Sequence, residues 1–161
     1  MNAFAQNTNY NISKDPKGEG LIYNGQITFD DLNKEPTFTW LKTGYDEYKP
    51  QEKTINYLRA NLKYFSIIVF LGTWCDDSHY LIPKLEKVLQ LTEYPQSKLT
   101  MYGADREKKT KNGDEKKYGI TLVPTIIVFN NDGREVGRIT ETVNKSIEED
   151  IANIIIVSTH N

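Results

Sequence analysis

Ile67-Ile68-Val69-Phe70-Leu71-Gly72-Thr73-Trp74-Cys75-Asp76-Asp77-Ser78 decides how this chain folds. Five apolar residues closed by Gly72 predict a buried strand, and the apolar positions that follow, Leu81, Leu85, Val88 and Leu89, have helical spacing. The backbone therefore turns from strand to helix within a few residues, and Cys75 stands at the turn. A helix start presents unsatisfied N–H groups and the positive end of its macrodipole, which favours a thiolate there. Pro83, inside the same helix, removes a backbone donor and predicts a kink.

Working outward, Gln51 to Tyr64 carries Ile55, Leu58 and Leu62 at helical spacing and leads into the strand. Thr28 is placed to cap a short turn over Phe29 to Leu32, and Pro36 and Pro50 open further helical segments. Trp40, Tyr45, Tyr48 and Tyr57 read as packing of this helical extension onto the core. Residues 1–25 are rich in Asn and Gly without a sustained period and are expected as a flexible tail. On the other side, Leu99 to Ala104 predicts a short strand, and Asp105 to Lys117 a solvated loop and helix face. Thr125 to Phe129 and Arg134 to Ile139 predict a hairpin about Asn130-Asn131-Asp132-Gly133. Ser146 with Glu149 predicts a capping box on a closing helix striped by Ile147, Ile151, Ile154 and Ile155. The expected divisions are a tail at 1–25, a helical extension at 26–50 and one α/β domain at 51–161, with a central mixed sheet flanked by helices.

Composition narrows the function. The 161 residues carry a net charge of −2, which lacks the basic field of a nucleic-acid binder. No apolar run approaches the roughly 18 residues needed to span a bilayer. A single cysteine excludes an intramolecular disulfide, and with only two histidines no metal or other cofactor is expected. Ala3-Phe4-Ala5-Gln6 looks like the small-residue end of a secretory signal without the basic and apolar regions that should precede it. An extracytoplasmic, periplasmic setting is favoured slightly over a cytoplasmic one, and a monomer is expected.

Over roughly residues 51–157 these features resemble the thioredoxin superfamily. Trp74-Cys75-Asp76-Asp77-Ser78 is similar to its W-C-x-x-C motif with Ser78 in place of the second cysteine. Pro83 falls at the family's helix-kinking proline, and Lys117 to Thr125 is similar to the segment that ends in its cis-proline. Cis X–Pro bonds number about one in twenty, so the resemblance, and not composition, implies one at Val123-Pro124. It also implies the three-layer thioredoxin-like fold and substrate contacts at Trp74, Val123 and Pro124, where an extended peptide would pair beside Cys75.

Two departures bear on chemistry. Ser78 cannot form a disulfide, and Val69 stands where the family has a buried acid. Cys75 is therefore the candidate nucleophile of a monothiol thiol-disulfide oxidoreductase, forming mixed disulfides with a protein or glutathione partner and needing an external thiol for release. Ser78 is a candidate hydrogen-bond donor to the thiolate, and Asp76 and Asp77 are modulating carboxylates that oppose it. His79 is expected at the surface. The alternative from another class is a non-catalytic thioredoxin-fold module that binds peptides or acts as a chaperone.

Overall fold

A computed structural model describes residues 9–160. Its centre is β3 (Ser66–Leu71), whose alternate residues serve two different cores. Ile67, Val69 and Leu71 face a large apolar cluster, while Ile68 and Phe70 face a smaller one with Ala104, Ile120, Val123 and Ile127. β5 (Thr125–Phe129) alternates likewise, with Ile126 and Val128 on the large side and Ile127 on the small. Strands buried on both faces are continuously apolar for this reason.

β3 pairs in parallel with β4 (Leu99–Gly103) and antiparallel with β5, which turns back into β6 (Glu135–Thr140). The connection from β3 to β4 is α4 (Asp76–Leu91), with Pro83 inside it. α3 (Glu52–Asn61) and the closing α6 (Ile147–Thr159) pack on the same side as α4. Ser146 caps α6 by accepting the Glu149 N–H, and its own hydroxyl donates to the Glu149 carboxylate at 2.8 Å. The opposite face is covered by the 104–124 connection, whose only helix is the four-residue α5 (Asp114–Lys117).

The amino-terminal region differs from the expected tail. Residues 1–8, including Ala3 to Gln6, lie outside the described residues, but β1 (Tyr10–Lys14) and β2 (Leu21–Ile27) form an antiparallel hairpin. β2 also pairs antiparallel with β4, which completes a six-stranded sheet in the order β1-β2-β4-β3-β5-β6. β1 is an edge strand with four of its five residues exposed, so it carries no alternation for a sequence pattern to reveal. The hairpin is fastened by aromatic contacts, Tyr10 stacking on Tyr23 at 5.4 Å and Tyr23 meeting Phe38 at 5.0 Å.

The helical extension is part of the folded body. α1 (Phe29–Asn33) begins with a capping box in which Thr28 and Asp31 satisfy each other's backbone N–H groups. α2 (Thr39–Glu47) lies on α4, and a Cβ placed on Gly44 would stand 2.6 Å from the Pro83 ring, so the helices meet at a distance only glycine permits. Trp40, Tyr48 and Tyr57 pack against the core as expected. The buried Glu148 carboxylate accepts from Tyr48 Oη at 2.5 Å and from the Gln51 N–H at 3.0 Å, tying the end of the extension to α6. No helix among the described residues is long and apolar enough to cross a membrane.

Candidate functional site

The site is assembled where β3 ends and α4 begins. Cys75 is the N-cap of α4, with extended backbone (φ −100°, ψ 125°), and its carbonyl accepts the His79 N–H at 2.9 Å. Its own N–H returns to Gly72 O at 3.0 Å, which closes the turn from strand to helix. The residue is half-buried. Asp76 and Asp77 occupy the exposed first turn, where carboxylates favour the helix.

Trp74 and Ser78 hold this turn from either side. The Trp74 indole N–H donates to Ala104 O at 2.8 Å, and its ring lies so close over Gly72 that an added Cβ would fall 2.6 Å from it. A larger residue at 72 is therefore incompatible with the observed indole position. Ser78 is fully buried, and its hydroxyl oxygen accepts the Gly72 N–H at 3.1 Å. The serine thus satisfies the buried backbone N–H that ends β3, a use that its position in the motif did not suggest.

The second wall is the segment before β5. The Val123-Pro124 peptide is cis, both residues are buried, and the Cys75 thiol donates to Val123 O at 3.5 Å. Among the described residues the Val123 N–H donates to none. Trp74, Cys75, Ser78, Val123 and Pro124 are therefore brought together, while Val69, one strand turn behind, is wholly buried and apolar.

Four further residues complete the surroundings. Thr73 donates to Leu21 O at 2.7 Å and accepts the Tyr23 N–H at 3.2 Å, fixing the turn to β2. His79 is half-buried and not at the surface: its ring stacks on Trp40 at 4.4 Å, and its Nε2–H donates to Thr73 O at 2.6 Å. Arg106 lies over the Trp74 ring at 4.9 Å and makes a forked ion pair with Asp15, at 2.9 and 2.6 Å. That pair holds the Asp15 carboxyl below the usual range, and Asp15 sits in the β1–β2 turn. Part of the expected solvated charge run is therefore built into the site. Its signal in the sequence was hidden, because its partner lay in a region with no periodicity.

A cleft of about 850 Å³ lies elsewhere, between α1, α2 and the far half of α4. Phe29, Phe38, Tyr45, Glu86 and Tyr94 line it, and none of the residues around Cys75 does.

A cysteine capping the helix that follows a central strand, faced by a cis-proline segment on a mixed sheet, defines a thioredoxin-like protein. A thioredoxin family model matches residues 29–152, most of the chain, and the chain belongs to the thioredoxin superfamily. The match takes in α1 and α2, which the sequence set apart as an extension. Among solved structures, a Pseudomonas aeruginosa protein of unknown function superposes with a TM-score of 0.58 at 10% identity, over 80% of this chain and 89% of that one. An HIV epitope-scaffold gives 0.59 at 11% identity, over 84% and 94%. Mitochondrial thioredoxin 3 from Saccharomyces cerevisiae, in its oxidized form, gives 0.40 at 19% identity, over 71% and 98%. No curated protein matches the chain in sequence.

Proposed function

We propose that this protein is a monothiol thiol-disulfide oxidoreductase in which Cys75 is the sole nucleophile that forms the mixed disulfide and an external thiol releases it. The observation that carries the proposal is the half-buried Cys75 sulfur at the α4 N-terminus, opposite the Val123 carbonyl. The Cys75 thiolate attacks one sulfur of a partner disulfide; that S–S bond breaks, a Cys75–partner disulfide forms, and the other sulfur leaves as a thiolate that takes up a proton. With Ser78 in the position of a resolving thiol, a second, external thiolate attacks the mixed disulfide and returns Cys75 as thiolate. Intramolecular thiols act at effective molarities of order 10⁵ M or more when well oriented, so reliance on millimolar free thiol makes release the slow step.

Trp74 shields the sulfur, and the Val123 N–H, without an acceptor among the described residues, offers an extended partner a backbone hydrogen bond beside Pro124. Ser78, whose oxygen keeps the Gly72 N–H, has a hydroxyl proton left to donate, and in this reading it turns that proton toward the thiolate when Cys75 ionises. Asp76 and Asp77 oppose the helix dipole and moderate the thiolate. The test is reduction of a glutathionylated peptide with excess glutathione. Turnover by the native chain, its loss in Cys75→Ala and a gain of disulfide reductase activity in Ser78→Cys are expected. Binding of the peptide by native chain and Cys75→Ala alike, with no turnover by either, would instead identify a peptide-binding module.

A further inference from the structure

We propose that Arg106 and Lys108 form a cationic rim over Trp74 that selects substrates carrying a carboxylate next to the sulfur attacked by Cys75. The inference rests on Cys75 acting as the nucleophile. Lys108 Nζ is 5.8 Å from the Trp74 ring centroid and Arg106 Cζ 4.9 Å, so both cations sit on the aromatic wall of the site. Their loop is built to hold them there. The Asp105 carboxylate accepts the Glu107 and Lys109 N–H groups at 2.9 and 3.0 Å, its backbone pairs with Lys109 and Lys108, and Lys108 takes a left-handed conformation with φ 62°. The indole N–H on Ala104 O anchors the same loop from its other end.

Arg106 is fixed more firmly still. Its Nε and Nη2 donate to Asp15, which is only 7% exposed and also accepts the Lys17 N–H. Asp15 is thus a positioning residue, and the fork leaves Arg106 Nη1 without a partner among the described residues. Lys108 has no carboxylate within ion-pair distance among them, so its charge is uncompensated. The electrostatic coupling of Arg106 to both Cys75 and Asp76 agrees with its place beside the sulfur. Asp76 and Asp77 lie on the helix side, so the site is polar across the sulfur. It orients a substrate with its anionic group toward the loop.

Two sources supply such a carboxylate: the glutathionyl moiety, or an acidic side chain beside the cysteine of a partner peptide. The test compares alkylation of Cys75 by iodoacetate and by iodoacetamide at one pH, where the ratio of rates cancels the thiolate fraction and reads the local charge. If the Lys108 charge acts on the sulfur from about 7 Å at an effective dielectric of 40 to 80, the ratio should fall about three- to sevenfold in Lys108→Met. The double variant Asp15→Asn, Arg106→Met avoids leaving a buried carboxylate unpaired but removes a paired positive and negative charge together. It should therefore lower the ratio by less than Lys108→Met, and both effects should shrink at 0.5 M salt, where the Debye length is about 4 Å against about 10 Å at 0.1 M. Rates with glutathionylated, acidic and neutral peptide disulfides then name the source. A deficit in the variants confined to the glutathionylated substrate assigns the carboxylate to glutathione, and one confined to the acidic peptide assigns it to the partner. An unchanged alkylation ratio, or an equal deficit on the neutral peptide, overturns the rim. The ratio needs no turnover, so it remains decisive if no substrate is turned over and the oxidoreductase reading fails.

Discussion

Ser78 has two duties in this structure, and they separate by chemistry. Its oxygen accepts a buried backbone N–H, while in the proposed function its lack of a thiol removes internal resolution. Ser78→Ala leaves the Gly72 N–H without a partner, and an unsatisfied buried donor costs about 1–3 kcal/mol. Urea unfolding should show a loss of that size with little change in the dependence on denaturant, and an unchanged midpoint would mean that water reaches the Gly72 N–H. The motif showed that position 78 mattered, because it aligned with a known pattern. It did not show that the hydroxyl belonged to the backbone, since hydrogen bonding to Gly72 depends on how β3 meets α4. Arg106 is the complementary case: a residue in a charge run whose role comes only from Asp15, 91 positions earlier.

At the scale of elements, the contact between α2 and α4 sets the position of the helix that Cys75 caps. Alanine is favoured over glycine by about 1 kcal/mol in a helix, whereas overpacking a close contact costs about 1–3 kcal/mol. With the added Cβ 2.6 Å from Pro83, overlap wins, so Gly44→Ala should lower stability by up to about 2 kcal/mol in thermal or denaturant unfolding. A stabilised variant would show that the two helices can part without cost. Glu86, on the same α4, has its carboxyl pushed up by burial, while Asn33 donates to it at 2.8 Å. The native state therefore binds the proton more tightly than the unfolded chain, and stability falls as pH rises from about 4 through the raised value. Glu86→Gln keeps the acceptor without the charge. It should be more stable than the native chain at pH 7 and equal to it near pH 3, as read by parallel unfolding curves across that range.

Most elements from α3 onward were legible in the sequence through a period or a cap: two-sided apolar runs for β3 and β5, a stripe for α4 and α6, and a cap at Ser146, as α1 was through its cap at Thr28. The β1–β2 hairpin was not, for a physical reason. β1 exposes both faces, and Asn24 and Gln26 interrupt the apolar residues of β2, so neither strand announces a buried side. Its importance is tertiary, since it supplies Leu21 and Tyr23 to Thr73, and Asp15 to Arg106.

For the whole molecule, six strands and the helices around them hold one sulfur at a helix start, facing a backbone carbonyl, with no second thiol in the chain. In the proposed function, capture and release are divided between the protein and its medium. Intact-mass measurement after mixing the protein with a glutathionylated peptide, first without free thiol and then with glutathione added, tests this division most directly. The account predicts a mixed disulfide on Cys75 that accumulates and persists until glutathione discharges it, and that is absent from Cys75→Ala. Formation of no adduct by the native chain, or its discharge before any free thiol is added, would contradict it.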